Sequence, residues 1–156
     1  MNKTAISLAL AGMAAMPAIG QAREINLSTT LKDYRGNEAY LAIYVTDAQG
    51  AYQRTLWVAG KKAKYYKHLR DWVQGGGSKP AEFDGLTGAS VGGGETLEVA
   101  VELEDALIDA GYEIRIDSAV EDKRDNRGEI KVPLTQQATT VNGRGQGYVD
   151  SFSYHF

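Results

Sequence analysis

The arrangement of apolar and polar residues predicts a chain built mainly from short β-strands. Residues 96–103 show it most clearly, because an apolar residue stands at every second position from Leu97 to Leu103. Such alternation is typical of a strand with one buried face and one solvated face. Similar patterns predict further strands at residues 24–32, 112–117, 129–134 and 147–155.

A β-hairpin is predicted between residues 40 and 58. Two runs rich in β-branched and aromatic residues, 40–46 and 52–58, flank the sequence Asp47-Ala48-Gln49-Gly50. Aspartate at the first position of a turn and glycine at the last favour a tight connection between two strands.

Between residues 61 and 74 the spacing of apolar residues changes from alternation to a helical period, and one short amphipathic helix is predicted. Tyr65, Leu69 and Trp72 or Val73 fall at helical spacing, and three glycines follow the segment. Its basic residues are Lys61, Lys62, Lys64, Lys67 and Arg70. We interpret them as solvated surface, with docking to an acidic partner or a lipid surface as the alternative.

The N-terminus resembles an export signal rather than part of the fold. Lys3 precedes a largely apolar run that is too short to span a bilayer, and Gly20-Gln21-Ala22 is a small-x-small cleavage site. We expect a signal peptide at residues 1–22 and a single periplasmic domain at residues 23–156. Six or seven short strands and one short helix favour a mainly β fold for that domain, an immunoglobulin-like antiparallel β-sandwich.

Charge and composition narrow the possible functions. Removal of the leader changes the formal charge from −3 to −4, so electrostatics gives no basis for binding nucleic acid. The chain has no cysteine, which excludes disulfides, thiol nucleophiles, cysteine-attached haem and cysteine-ligated iron–sulfur clusters. The two histidines, His68 and His155, lack the spacing of a metal site, and no metal is expected.

The segment Asp84-Gly85-Leu86-Thr87-Gly88-Ala89-Ser90 lies in a glycine-rich loop predicted for residues 78–94. It resembles the acceptor motif of proteins that carry FMN covalently, in which an aspartate is followed after two variable positions by Thr/Ser-Gly-Ala-Thr/Ser. The resemblance implies that a periplasmic FAD:protein FMN transferase esterifies the last hydroxyl to the flavin phosphate. Carried over by position, Asp84 is the recognition aspartate, Thr87, Gly88 and Ala89 form the body of the motif, and Ser90 is the acceptor. The usual acceptor is threonine, and here it is serine.

Landmarks between Tyr40 and Leu134 together resemble a family of small periplasmic proteins known only as a domain of unknown function. They are Arg54-Thr55-Leu56-Trp57, the segment from Lys64-Tyr65 to Trp72, the Asp84 to Ser90 motif, and Asp109-Ala110-Gly111-Tyr112. Genes of this family commonly lie beside flavin transferases and PepSY-type membrane proteins. The family's usual Trp-Asp-Gly-x-Asp sequence is replaced here by Val101-Glu102-Leu103-Glu104-Asp105, so this chain departs from the pattern there.

The resemblance implies a periplasmic electron carrier with covalent FMN on Ser90 rather than a turnover enzyme. Its partners would be the FAD:protein FMN transferase and a PepSY-type or other membrane redox protein. An isoalloxazine ring needs a surface on which to stack, and Trp57, Trp72, Tyr65 and Tyr66 are candidates. Packing in the protein core is the alternative role of these aromatic residues.

Two other interpretations stay open. Asp-Gly and Thr-Gly pairs are ordinary turn formers, so residues 84–90 would be a plain loop in an immunoglobulin-like binding or accessory module without a cofactor. The sequence Gly88-Ala89-Ser90-Val91-Gly92 also has the letters of the Gly-x-Ser-x-Gly elbow of hydrolases. No helix is predicted after it, and no base or orienting group is evident.

Overall fold

The computed structural model describes residues 20–156, apart from residues 144 and 146. The predicted signal peptide therefore lies almost entirely outside the described residues. The strands are β1 (Ala22–Leu31), β2 (Ala39–Thr46), β3 (Tyr52–Ala59), β4 (Thr87–Gly88), β5 (Thr96–Glu104), β6 (Glu113–Val120), β7 (Asn126–Pro133), β8 (Thr139–Asn142) and β9 (Val149–His155). The helices are a 3₁₀ helix (Ala63–His68), α1 (Arg70–Gln74), α2 (Pro80–Phe83) and a second 3₁₀ helix (Asp105–Leu107).

The strands form two sheets that pack face to face, which confirms the predicted β-sandwich. One sheet has the order β5-β1-β9-β8 and the other has the order β4-β3-β2-β6-β7. Neighbouring strands are antiparallel except for the short β4, which pairs parallel to β3. In immunoglobulin domains the first two strands share a sheet, whereas β1 and β2 here lie in opposite sheets. The likeness to that fold is therefore one of layers rather than of strand order.

The main core lies between the sheets. Alternate residues of β1, including Ile25 and Leu27, meet alternate residues of β2, including Leu41 and Ile43, and all four are buried. Each such side chain contributes about 1.5–3 kcal/mol when it leaves water. The alternation predicted for residues 96–103 is confirmed, because the apolar residues of β5 face this core while its polar residues are exposed.

The five-stranded sheet also buries its outer face. Ala42 and Tyr44 of β2 point away from the main core and pack under Tyr66, Leu69 and Trp72 of the helical segment. Because both faces of β2 are covered, nearly all of its residues are buried. This second layer positions the helical segment beside the end of the sheet.

The segment predicted as one helix is divided. The 3₁₀ helix ends at His68, Leu69 has a non-helical backbone (φ −86°, ψ 74°), and α1 follows. Its buried residues Tyr66, Leu69 and Trp72 recur every third position, which matches the three-residue turn of a 3₁₀ helix better than the 3.6-residue α turn. The predicted loop at residues 78–94 likewise contains α2 and β4.

A buried aspartate holds the helical segment on the sheet. The carboxylate of Asp117 in β6 accepts hydrogen bonds from the Tyr44 hydroxyl (2.9 Å) and from the backbone N–H groups of Trp72 (2.9 Å) and Gly128 (2.7 Å). Burial raises the pKa of Asp117, and these three bonds act in the opposite direction by stabilising the charged form. Within the part of the chain described, every helix is short, and none has the length and apolar content needed to cross a bilayer.

Candidate functional site

The segment that resembles a flavin acceptor lies along an edge of the five-stranded sheet. The backbone N–H of Val58 donates to the carbonyl of Leu86, and that of Gly60 donates to the carbonyl of Gly88, both at 2.8 Å. Residues 86–88 therefore run as an extended edge segment beside β3. Since β4 is the outermost strand of its sheet, its other side is open.

The chain then crosses the end of β3 and is held again one residue after Ser90. Val91 and Ala39 exchange two backbone hydrogen bonds, of 3.0 and 2.6 Å, and both side chains are buried. Ala89 is exposed and Ser90 is half-buried. The acceptor candidate is thus a hydroxyl on a short span of two residues that is anchored at both ends.

The hydroxyl of Ser90 donates a hydrogen bond to the carboxylate of Glu38. Glu38 is exposed and lies in the loop between β1 and β2, one residue before Ala39. The backbone pair of Ala39 and Val91 therefore brings the two side chains together. Sequence analysis did not identify Glu38, because 52 residues separate it from Ser90 and no local pattern marks it.

Ser90 and Glu38 lie at the edge of a large cavity of about 1070 Å³. The cavity is bounded by the β1–β2 loop, the 3₁₀ helix, the start of β2 and the turn between β6 and β7. Pockets for cofactors and similar ligands typically enclose about 300–1,000 Å³, so the space is large enough for a flavin. Its charged lining consists of Lys62, Arg70, Lys123, Arg124 and Arg127 together with Glu38, Glu121, Asp122 and Asp125.

Aromatic rings line one part of the cavity. Tyr40 of β2 and Tyr65 of the 3₁₀ helix meet edge to face, with ring centroids 5.6 Å apart and an interplanar angle of 81°. The Tyr40 hydroxyl accepts a hydrogen bond from the backbone N–H of Lys62 (3.2 Å), and the ammonium group of Lys64 lies 5.0 Å from the Tyr65 ring centroid. Tyr65 is therefore the one of the four predicted stacking residues that lines the same cavity as Ser90.

The other aromatic candidates lie elsewhere. Trp72 and Tyr66 are buried in the outer-face core, which agrees with the core-packing alternative. Burial raises the pKa of Tyr66, and its neutral hydroxyl donates to the carbonyl of Gly60 at 2.7 Å. Trp57 packs partly against the main core and lies directly beneath Gly88, where an added Cβ would come within 2.7 Å of the ring atom Cζ2.

Asp84 and Thr87 lie apart from Ser90. Asp84 caps the C-terminus of α2 and is exposed, as is Thr87. Both line a smaller cavity of about 350 Å³, together with Lys61. The motif thus presents its recognition aspartate and its threonine on one surface, and its terminal serine to the large cavity.

A histidine and an aspartate also face the large cavity. His68 Nδ1 lies 3.2 Å from the carboxylate of Asp125, which also accepts a 2.9 Å hydrogen bond from Arg70. Sequence analysis found no orienting group for a hydrolase, and this pair would supply one. However, the hydroxyl of Ser90 donates to Glu38, and among the described residues no hydrogen bond joins it to His68.

Among the comparisons with known proteins, the comparison with family models gave a match. The family model DUF2271, described as a predicted periplasmic protein, matches residues 22–151. Comparison with curated proteins and with solved structures gave no match. The matched residues include the acceptor-like segment and most of both sheets, and the periplasmic location predicted from the sequence is confirmed. The chain belongs to the DUF2271 family of predicted periplasmic proteins.

Proposed function

We propose that this protein is a periplasmic electron carrier that holds FMN on Ser90 through a phosphoester bond. The observation that supports the proposal best is the position of the Ser90 hydroxyl in the lining of a cavity large enough for a flavin, together with two tyrosines and with charged side chains of both signs. A cofactor phosphate attached there leaves the ring within reach of the cavity. A hydroxyl buried in the sheet core would have opposed the proposal.

The attachment reaction transfers a phosphoryl group. The Ser90 oxygen attacks the phosphorus of the FMN half of FAD, the new O–P bond forms, and the pyrophosphate bond breaks so that AMP leaves. The hydroxyl proton passes to a base, and a divalent metal in the transferase stabilises the developing charge on the phosphates. This chain supplies the acceptor hydroxyl, the groups that hold it, and Glu38 as a neighbouring carboxylate that can take up its proton.

Access of the transferase is supported by the edge position of the motif. Asp84, Thr87 and Ala89 are exposed, and the outer side of β4 pairs with no described strand. An enzyme cleft can therefore approach the segment from its open edge, with Asp84 available as a recognition carboxylate. Ser90 itself is half-buried on a span of two residues, so a small local movement there would expose the hydroxyl fully.

The flavin would supply the redox chemistry, because it accepts two electrons with protons and returns them to an acceptor. The donor and acceptor that we propose are a flavin- or haem-containing membrane protein of PepSY type and a second redox protein. Covalent attachment suits the periplasm, since a dissociated cofactor would be lost by dilution. The chain's own residues would hold the ring and set its electrostatic environment.

The test is co-expression with a FAD:protein FMN transferase, followed by intact-mass measurement and a denaturing gel viewed for flavin fluorescence. The wild type should gain the mass of one FMN less one water and fluoresce in the gel. Ser90→Ala should abolish both signals, Ser90→Thr should retain them, and Ser78→Ala, a half-buried serine outside the motif, should behave as the wild type. An unlabelled wild type beside a labelled control acceptor would overturn the proposal and favour a cofactor-free binding module.

The second candidate function is hydrolysis, which the pair of His68 and Asp125 in the same cavity favours. A hydrolase would use Ser90 as nucleophile and His68 as base. Turnover of aryl esters by the unlabelled protein, lost in both Ser90→Ala and His68→Ala, would support it. Labelled protein whose His68→Ala variant still accepts flavin would instead support the electron carrier.

A further inference from the structure

We propose that the isoalloxazine ring of the flavin on Ser90 lies inside the large cavity, against Tyr65 and beside the ammonium group of Lys62. This inference rests on the proposed function, because it takes the flavin phosphate to be esterified to Ser90. It adds a binding site for the ring, in which Tyr65 holds the flavin and Lys62 raises its midpoint potential.

The cavity is open to solvent on one side, and polar contacts join its walls. Asp125 links the turn between β6 and β7 to the helical segment through His68 and Arg70. The side chain of Asn37 donates to Glu121 at 3.4 Å and so joins the β1–β2 loop to the same turn. These contacts connect segments that are far apart in sequence, and they fix the shape of the space before any ligand enters it.

The floor of the cavity is the end of the five-stranded sheet. Tyr40 and Ala119 are opposite one another in the pairing of β2 with β6, and both line the cavity. The ring of Tyr40 packs closely over Gly60, where an added Cβ would come within 2.4 Å of it. Tyr40 is thereby fixed in place and supports Tyr65, which is half-buried and offers a positioned aromatic surface to a ligand ring.

The tether makes weak contacts sufficient. A flavin that is esterified to Ser90 has its ring at a high effective concentration in the adjacent space, so docking is an intramolecular step. Aromatic contacts of ordinary strength then hold the ring in the cavity for most of the time. Untethered FMN would gain no such advantage, because its binding would have to overcome the loss of translational and rotational freedom.

Lys62 is one of five cationic residues that line the cavity, beside four carboxylates. Its side chain is exposed and lines the cavity, and the hydrogen bond from its backbone N–H to the Tyr40 hydroxyl holds its backbone at the cavity wall. Reduction adds negative charge to a flavin, and a nearby ammonium group stabilises that charge. Lys62 therefore raises the midpoint potential of the docked flavin.

The first experiment uses the flavin-labelled full chain and compares Tyr65→Leu with Tyr112→Leu, a half-buried tyrosine that does not line this cavity. Intact mass confirms that each variant carries the flavin, and iodide quenching of flavin fluorescence reports how exposed the ring is. We expect Tyr65→Leu to lower the ratio of docked to free ring roughly two- to tenfold, as the loss of one aromatic contact implies. Tyr112→Leu should match the wild type.

The second experiment replaces only exposed side chains and so avoids any loss of folding. In labelled protein at low salt, Lys62→Gln should lower the flavin midpoint potential. Lys67→Gln removes an exposed lysine that lies in the 3₁₀ helix following Lys62 and does not line the cavity, and it should leave the potential unchanged.

Two results are distinguishable. A wild type that carries a flavin which iodide quenches as fully as free FMN would overturn the ring site and leave covalent attachment intact. Equal effects of the two variants within each pair, in both experiments, would have the same meaning. A wild type that never acquires the flavin would overturn the proposed function itself, and the ring site with it.

Discussion

At the scale of single residues, the contact between Ser90 and Glu38 is the feature that bears most directly on the proposed flavin attachment. A serine hydroxyl is a weak nucleophile until a neighbouring group takes or shares its proton. Glu38 accepts the hydrogen bond from that hydroxyl, so the chain itself orients the oxygen that we propose as the acceptor. The carboxylate lies on a loop and is exposed, so solvent reaches the contact between the two side chains.

We predict that Glu38→Gln slows flavin transfer to Ser90. The amide cannot take up the proton, although it still fills the same space, and a positioned base contributes about 10²–10⁴-fold to such reactions. Because Glu38 is exposed, we expect an effect near or below the lower end, roughly ten- to a hundredfold. Single-turnover labelling followed by intact mass measures it.

The matched control for this variant is Glu98→Gln, an exposed carboxylate on β5. It should label at the rate of the wild type. Equal labelling rates of Glu38→Gln and the wild type would show that the transferase alone activates the hydroxyl.

The residues of this site were only partly predictable. Ser90 was found from its motif, because the spacing from Asp84 is local and is written in the sequence. Glu38 reaches Ser90 only through the pairing of Ala39 with Val91, which is a tertiary contact without a local signal. Whether Ser90 is modified stays a prediction.

At the scale of elements, the short strand β4 connects the acceptor segment to the sheet. It has only two residues, and its place beside β3 depends on the close approach of Gly88 to the Trp57 ring. Gly88 belongs to the body of the acceptor-like motif, and the structure gives a packing reason for a residue without a side chain at this position. A side chain there would push the segment away from β3.

We therefore predict that Gly88→Ala destabilises the protein by about 1–3 kcal/mol, as inserted methyl groups do in tightly packed sites. The added Cβ would meet Trp57 at 2.7 Å, and neither the ring nor the paired backbone can yield easily. Urea denaturation measures the change. Ala89→Ser, at the exposed neighbouring position, should change stability by less than about 0.5 kcal/mol, and equal values for the two variants would contradict the packing argument.

Elements with a regular pattern were predicted well, and those held by tertiary contacts were not. The hairpin of β2 and β3 and the strand β5 follow directly from their alternation or composition. The helical segment divides at Leu69, and Tyr66, Leu69 and Trp72 on either side of the break are all buried on the outer face of the sheet, which the local pattern does not reveal. The strand β8 has a weak pattern of its own and exists through its pairing with β9.

At the scale of the whole molecule, a half-buried glutamate joins the two sheets. Glu129 of β7 accepts a 2.6 Å hydrogen bond from the backbone N–H of Val149 in β9 and a hydrogen bond from the hydroxyl of Ser118 in β6. Burial raises the pKa of Glu129 from its ordinary value of 4.5, and these bonds oppose the shift without cancelling it. The link between the layers therefore depends on pH.

The sign of that dependence follows from proton binding. A raised pKa means that the folded protein binds the Glu129 proton more tightly than the unfolded chain does. This contribution favours folding fully below pH 4.5 and is lost as the pH rises through the raised pKa of the folded state. Over that window the unfolding free energy of the wild type should fall relative to that of Glu129→Gln, which binds no proton there.

Urea denaturation at a series of pH values tests this prediction. Glu102→Gln, which removes an exposed carboxylate of β5, should keep the pH dependence of the wild type. Parallel curves for Glu129→Gln and the wild type would show that Glu129 has the same proton affinity in both states.

The sandwich as a whole was predictable, since many short alternating strands leave few other ways to cover their apolar faces. The second layer on the outer face was not, because it depends on the burial of Asp117 and on its three hydrogen bonds. That layer places the 3₁₀ helix beside the end of β2, and so it creates the cavity. The candidate site thus depends on the packing of the helical segment against the outer face of the five-stranded sheet.

The hydrogen bond between Ser90 and Glu38 would also distinguish protein without flavin from protein that carries it. Esterification of the serine removes the hydrogen that this bond requires and sets a phosphate anion next to a carboxylate. If Ser90 carries the flavin as proposed, this side-chain contact between the β1–β2 loop and the edge segment would be present in unloaded chains and absent from loaded ones. A membrane partner that contacts the β1–β2 loop would then distinguish the loaded from the unloaded protein without contacting the flavin, and would bind only the loaded form.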